Sequence, residues 1–255
     1  MTDINETVRE QFGSTAQAYR TSAVHAVGVD LTKLAELANR ARPARVLDLG
    51  CGAGHASITV APHAGEVVAY DLTQQMLDQV ALLAQERGIH NVRAQQGDVT
   101  RLPFEAGEFD WIITRYSAHH WRDPQAALNE CRRVLKAGGT LLVSDTAAPE
   151  QPLFDTVLQA VEILRDRSHV RNYRISEWQQ MLQRAGFTTE LLLTWGVRLE
   201  FDSWVTRMKT PRHRIDAIKM VFDEAPEEAR TFLKVETDYT FTNPGALIRG
   251  VCVSA

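Results

Sequence analysis

The chain has 255 residues, 44% of them hydrophobic, which suits one α/β domain with an elaboration and enough apolar content to bury a core. A formal net charge of −4 argues against a surface that coats nucleic acid, and three cysteines at scattered positions lack the close pairing of a metal site or redox motif. No run approaches the roughly 18 apolar residues that span a bilayer, and Met1-Thr2-Asp3-Ile4-Asn5-Glu6 has neither the basic start nor the apolar core of a signal peptide; reduced thiols and a cytoplasmic location are expected.

From residue 45 onward strands and helices alternate, the pattern of a parallel sheet covered on both faces. The first strand, Val46-Leu47-Asp48-Leu49, runs into Gly50-Cys51-Gly52-Ala53-Gly54. Such glycines let backbone pass close beneath a ligand, and Asp48, placed where the strand is expected to surface, can accept hydrogen bonds from a bound amine. The spacing reads G-x-G-x-G, with His55 in the place of the third glycine of a dinucleotide turn, so a pyrophosphate ligand is disfavoured. Cys51 is read as a small residue that the turn needs for packing, with no covalent role.

A second strand, Glu66-Val67-Val68-Ala69-Tyr70-Asp71, ends on a carboxylate about 20 residues beyond the glycines, the distance at which an acid reaches ribose hydroxyls. Thr73 is expected to cap the next helix, in which Met76, Val80 and Leu83 recur at helical spacing before Gly88 ends it. The third strand, near Val92 to Gln96, leads to Gly97-Asp98-Val99, where Asp98 can accept from an adenine amino group, Val99 can donate its backbone N–H, and Leu72 can pack on the base. A Gly-Asp pair alone is a turn signal; carboxylates at three successive strand ends point to a nucleoside.

Phe109-Asp110-Trp111-Ile112-Ile113-Thr114 forms the fourth strand, and Arg115-Tyr116-Ser117-Ala118-His119-His120-Trp121 follows at the lip where open sheets bind ligands. His119 and His120 are candidates for acid–base work or acceptor positioning, against the plainer reading of packing beside Trp121; adjacent histidines alone make no metal site, and none is assigned. Asp123 should cap a helix that starts at Pro124 and buries Leu128, Cys131 and Leu135, with Gly138-Gly139 stopping it before a fifth strand over residues 140–144. Further helices are expected over residues 152–165 and from a capping box at Ser176-Glu177-Trp178-Gln179 to Gly186, with the sixth strand at 187–193 and the seventh at 246–253. The stretch 201–236 reads as short helices interrupted by Pro211 and Pro226, a cap. Between the two helices lie four arginines in residues 165–174, a group able to gather an anionic acceptor or simply to face water.

In these residues the chain resembles the class I S-adenosylmethionine-dependent methyltransferases, and among them the small-molecule branch related to ubiquinone/menaquinone-biosynthesis methyltransferases. The match rests on Asp48 to Gly54, Asp71, Gly97-Asp98-Val99 and Leu135-Lys136-Ala137-Gly138-Gly139-Thr140-Leu141, in the family's order. The resemblance implies a seven-stranded, mostly parallel Rossmann-like sheet with helices on both faces, an antiparallel last strand, and a helical cap from the N-terminal segment and the insertion between strands six and seven. It implies one domain over 1–255, with a cap segment over 1–42, a cofactor-binding core over 43–150, and a C-terminal part over 151–255 holding the insertion. Cofactor contacts are implied for Tyr19, Asp48, Gly50, Cys51, Gly52, Asp71, Leu72, Met76, Asp98, Val99, Arg115 and Tyr116, with residues 12–19 folding over the cofactor. Acceptor contacts are expected from His169, Arg171, Trp204 and Arg207.

The implied activity is direct in-line transfer of a methyl group from S-adenosyl-L-methionine to a small-molecule acceptor, leaving S-adenosyl-L-homocysteine; a quinone ring is the family-level guess for the acceptor. Alignment of the reactants is the principal catalytic task, since well-oriented encounters supply on the order of 7–11 kcal/mol of a barrier. Two other functions fit less of the chain: a cofactor-binding protein without catalysis, and a nicotinamide dehydrogenase, which the position of His55 disfavours. No nucleic-acid partner is expected, because the segment after the fourth strand lacks the Asn/Asp-Pro-Pro-aromatic run with which amino-directed DNA methyltransferases meet a flipped base.

Overall fold

A computed structural model describes residues 3–20 and 26–253. The sheet runs β3 (Val92–Gln96), β2 (Glu66–Asp71), β1 (Arg45–Leu49), β4 (Phe109–Arg115), β5 (Leu135–Ala148), β8 (Phe241–Cys252), β7 (Phe187–Leu199), and the two-residue β6 (Tyr173–Arg174) pairs with the end of β5. All pairings are parallel except the two made by β8. The expected seven-stranded, mostly parallel sheet with an antiparallel last strand is therefore present, and β6 adds an eighth, short strand. Successive strands are added in one direction from β1 to β3 and in the other from β4 onward, so the switch point lies between the parallel strands β1 and β4, whose carboxyl ends open the crevice where such sheets bind ligands.

Alternation along each strand sorts the core into two layers. Leu47, Leu49, Val68, Tyr70, Ile112, Leu141 and Val143 face α6 (Pro124–Val134) and α8 (Ile175–Arg184), with Trp178 and Met181 packed among them. Val46, Val67, Trp111, Ile113 and Leu142 face α3 (Val29–Ala41) and α4 (His55–Val60), which contribute Leu31, Leu34, Ala56 and Val60. The period of two also decides where Asp48 goes: it shares the Val46 face, beneath α4, rather than reaching the strand's open end.

A third cluster forms the cap. Phe201, Trp204, Ile218, Phe222, Leu233 and Phe241 pack with Val157, Leu158 and Val161, so α7 (Pro152–Arg165) joins α9 (Phe201–Arg207), α10 (Arg212–Glu224) and α11 (Glu227–Phe232). The breaks at Pro211 and Pro226 fall where expected, each as the residue before a helix. At the amino end, α1 (Ile4–Gly13) and α2 (Ala16–Arg20) lie across α5 (Gln74–Glu86), and α1 has no buried residue of its own.

Three local expectations are corrected. The Thr73 side chain makes no cap bond and its hydroxyl is buried without a partner; Asp71 Oδ1 accepts from the Thr73 N–H instead, at 2.9 Å. The Ser176 capping box does not form, because α8 begins two residues earlier, with Arg174 in the N-cap position: Glu177 accepts from the Arg174 N–H, while Ser176 binds Glu150. Finally, β5 starts at Leu135 directly after α6, and residues 136–139 bulge out, since Leu135 pairs with Phe109 while Thr140 pairs with Trp111. The Asp123 cap is present as expected, with its carboxylate accepting from Ala126 N–H at 2.9 Å.

Candidate active site

The glycine turn has backbone dihedrals that few side chains tolerate. Gly50 and Gly52 have φ of +69° and +52°. A Cβ on Gly50 would stand 1.9 Å from Ser117 Oγ, whereas one on Gly52 would meet nothing within 4 Å, projecting into open space. That space is a cavity of about 420 Å³ whose walls come from β1, β2 and β4 ends, α1 and the segment after β4.

Of the residues expected to contact a cofactor, Tyr19, Gly50, Cys51, Gly52, Asp71, Leu72, Met76, Asp98, Val99, Arg115 and Tyr116 all line this cavity, and so does His120. Asp48 does not. It is fully buried; its Oδ2 accepts from Ser57 Oγ at 2.5 Å, and its Oδ1 has no partner. Burial, only partly offset by that hydroxyl, pushes its pKa up to about 7. It thus braces the strand against α4 from behind the turn.

Asp71 reaches the cavity with its two oxygens already engaged once each, Oδ2 by the Gly52 N–H and Oδ1 by the Thr73 N–H, both at 2.9 Å. A carboxylate has about four acceptor sites, so two remain for a ligand. Burial raises its pKa, against those backbone donors. Asp98 accepts from Thr100 and, on Oδ2, from Asn5 of α1 at 2.7 Å. Arg115 is paired with the buried Asp30 of α3, which also accepts from Ser144 Oγ at 3.0 Å. Tyr116, with φ of +47°, lies beneath the Arg115 guanidinium, and its hydroxyl accepts from Trp195 Nε1 at 3.2 Å. A non-glycine residue in that region is uncommon and concentrates at functional sites.

Beyond this cavity lies a second, of about 70 Å³, sharing Tyr19, Tyr116 and His120 with it. His119, Trp204 and Arg207 line the second cavity, as do Glu162, Arg165 and Asn243. The two adjacent histidines are differently set. His119 Nδ1 lies 2.6 Å from Asp145 Oδ1; burial opposes the cation, but the Asp145 charge and hydrogen bond outweigh it and raise the pKa. His120 Nδ1 donates to the Ser168 carbonyl at 3.0 Å, and burial together with His119 holds it below its ordinary value, neutral at pH 7. His169 and Arg171 line neither cavity: His169 Nε2 bonds Gln159 Oε1, and Arg171 bonds Asp155 at 3.0 Å. Both side chains are drawn to α7 instead.

Asp30, Asp145 and Asn243 escaped the reading of the sequence. Asp30 and Asp145 lie within amphipathic or strand segments with no motif around them, and only the packing of α3 and β5 against the segment after β4 makes them partners of Arg115 and His119. Asn243 arrives from β8, about 80 residues beyond its partner Glu162.

Residues 47–143 match the family model described as a methyltransferase domain. The chain is 44% identical over 194 residues to "Uncharacterized protein YafE" of Escherichia coli (strain K12), covering 76% of this chain and 94% of that protein. It is 39% identical over 219 residues to "Uncharacterized methyltransferase YcgJ" of Bacillus subtilis (strain 168), covering 86% and 87%. The crystal structure of the YcgJ protein superposes with a TM-score of 0.84 at 35% identity, over 88% of this chain and 98% of that one. A more distant likeness, 33% over 113 residues and 43% and 48% of the two chains, is to demethylmenaquinone methyltransferase of Staphylococcus saprophyticus.

Proposed function

Because the chain belongs to the methyltransferase-domain family, we propose that it transfers the methyl group of S-adenosyl-L-methionine directly, by in-line displacement, to a small-molecule acceptor in the cytoplasm. The observation that carries this reading is the 420 Å³ cavity in which a glycine cradle, a strand-end acid and a second acid beyond it line one wall. The cofactor fits the donor set: Gly52 leaves a space that a Cβ would enter, and Asp71 keeps two acceptor sites for vicinal hydroxyls. When bound, S-adenosyl-L-methionine supplies a methyl group made electrophilic by its sulfonium.

The residues have separate tasks. Asp71 holds the ribose, Asp98 and Val99 the adenine edge, and Leu72 and Met76 the face of the base, while Tyr19, Cys51, Arg115 and Tyr116 shape the end nearer the second cavity. Asp48 acts indirectly by fixing the turn through Ser57. His119, oriented by Asp145, presents a basic nitrogen to the second cavity and removes a proton where the acceptor must lose one. His120, kept neutral, belongs to the walls of both cavities and packs edge-on against Phe12, 4.8 Å between ring centres. Trp204 and Arg207 contact the acceptor. Among the described residues no helix is long and apolar enough to cross a membrane.

Calorimetric titration tests the premise first. S-adenosylhomocysteine is expected to bind in the micromolar range and NADH not at all. Transfer of a tritiated methyl group to members of a metabolite panel then tests catalysis; cofactor uptake with no transfer to any acceptor would leave a binding protein instead.

A further inference from the structure

The second cavity is small and charged, unlike the pocket a prenylated quinone ring would require. Its wall carries Arg165, Arg207 and Glu162. Glu162 and Arg165 are accounted for within the protein. Glu162 Oε1 accepts from Asn243 Nδ2 at 2.7 Å, and its Oε2 lies 3.9 Å from Arg165 Nη1. Arg165 also donates from Nε to the Trp204 carbonyl at 3.0 Å and covers the Trp204 ring at 4.9 Å. The nearby Asp166 accepts from both the Ser168 N–H and hydroxyl, 3.9 Å from His120 Nε2.

At this wall two single atoms lack a hydrogen-bond partner among the described residues. Arg207 Nε is buried with no acceptor, and Asn243, only 3% exposed, has an Oδ1 with no donor. Burial and the like charge of Arg165 disfavour the Arg207 cation and outweigh a hydrogen bond with Tyr19 and the charge of Glu162, so a further anion beside it is favoured. A ligand that is anionic at one end and carries a hydroxyl or amine satisfies both groups at once. We infer that the acceptor is a small carboxylate bearing a hydroxyl or amino group, with its carboxylate on Arg207 and its donor on Asn243 Oδ1, so that the remaining atoms lie beside Tyr116 and His120 at the junction with the larger cavity. The inference rests on the methyl-transfer reading above, and it replaces the quinone ring expected from family likeness.

Calorimetry or saturation-transfer NMR on the full chain loaded with S-adenosylhomocysteine decides it, using two matched pairs as probes: glycolate with glycolamide, and salicylate with salicylamide. At least one carboxylate should bind about tenfold or more tightly than its neutral amide. Arg207→Gln should abolish that preference and Arg207→Lys retain part of it, while both variants bind S-adenosylhomocysteine within about twofold of the wild type, which reports an intact fold. Equal binding of acid and amide, no binding of any probe, or a preference that survives Arg207→Gln would overturn the inference. If the wild type takes up no S-adenosylhomocysteine, the methyl-transfer reading fails instead, and the acid–amide comparison repeated without it still judges the anion site.

Discussion

Asp71 is the residue whose loss should be felt most directly. With Gly52 and Thr73 N–H groups holding its carboxylate in place, it offers a fixed acceptor to ligand hydroxyls, and hydrogen bonds to a charged acceptor contribute about 1.5–3 kcal/mol each. Asp71→Ala is therefore expected to raise the S-adenosylhomocysteine dissociation constant at least tenfold by titration calorimetry; unchanged affinity would remove the ribose assignment. Asp48 makes an opposite kind of test. Its folded pKa of about 7 lies above that of an unfolded carboxyl, so the stability associated with it is fully present below about pH 4 and is lost as pH rises toward 7. Asp48→Asn can keep the Ser57 hydrogen bond without the charge, and urea unfolding should show it gaining on the wild type at pH 8 but not at pH 4. For His119 the readout is a rate. Its raised pKa means that the neutral, basic form accumulates only as pH climbs past the ordinary imidazole value, and methyl transfer to an acceptor that must lose a proton should rise with it. Asp145→Asn removes the charge that raises this pKa, so the rise should move to lower pH; a profile that stays in place would argue against a base at this position.

At the scale of elements, sequence signals succeeded where the cause was local. Asp123 and Pro124 start α6 through a side-chain cap and a preset φ, both properties of neighbouring residues. Asp123→Ala should accordingly lower stability by about 1 kcal/mol in denaturant unfolding. Thr73 and Ser176 failed for a comparable reason. Each is a good local cap superseded by a carboxylate that the fold holds nearby: the Thr73 N–H by Asp71, only two residues back but fixed by Gly52 of the glycine turn, and Ser176 by Glu150. The role of α7 also depended on what packed against it. Val157, Leu158 and Val161 declare an apolar face, but nothing local says that the face belongs to the cap rather than to the sheet.

Across the whole molecule, the cavity is closed by a segment with little hold of its own. α1 buries none of its residues and is held by a few side-chain contacts: Asn5 to Asp98, Gln11 to the Met208 carbonyl, Glu10 to Arg167, and the Phe12 ring against Tyr19 and His120. Elements with few buried contacts open most readily. Adding S-adenosylhomocysteine should therefore slow amide hydrogen exchange in residues 4–13 markedly while leaving β1, already buried, unaffected. Equal protection of α1 with and without ligand would mean that it does not close over the cofactor.

The parallel strands, the glycine cradle and the strand-end places of Asp71 and Asp98 are legible in the residues alone, because strand alternation, turn chemistry and strand-end acids are set by residues a few places apart. Tertiary structure alone decided that Asp48 turns inward, that His119 finds Asp145 while His169 and Arg171 turn toward α7, and that Glu162, Arg207 and Asn243 meet around one small chamber. Those pairings join elements far apart along the chain, and no local propensity encodes which charged group a folded surface will bring against another.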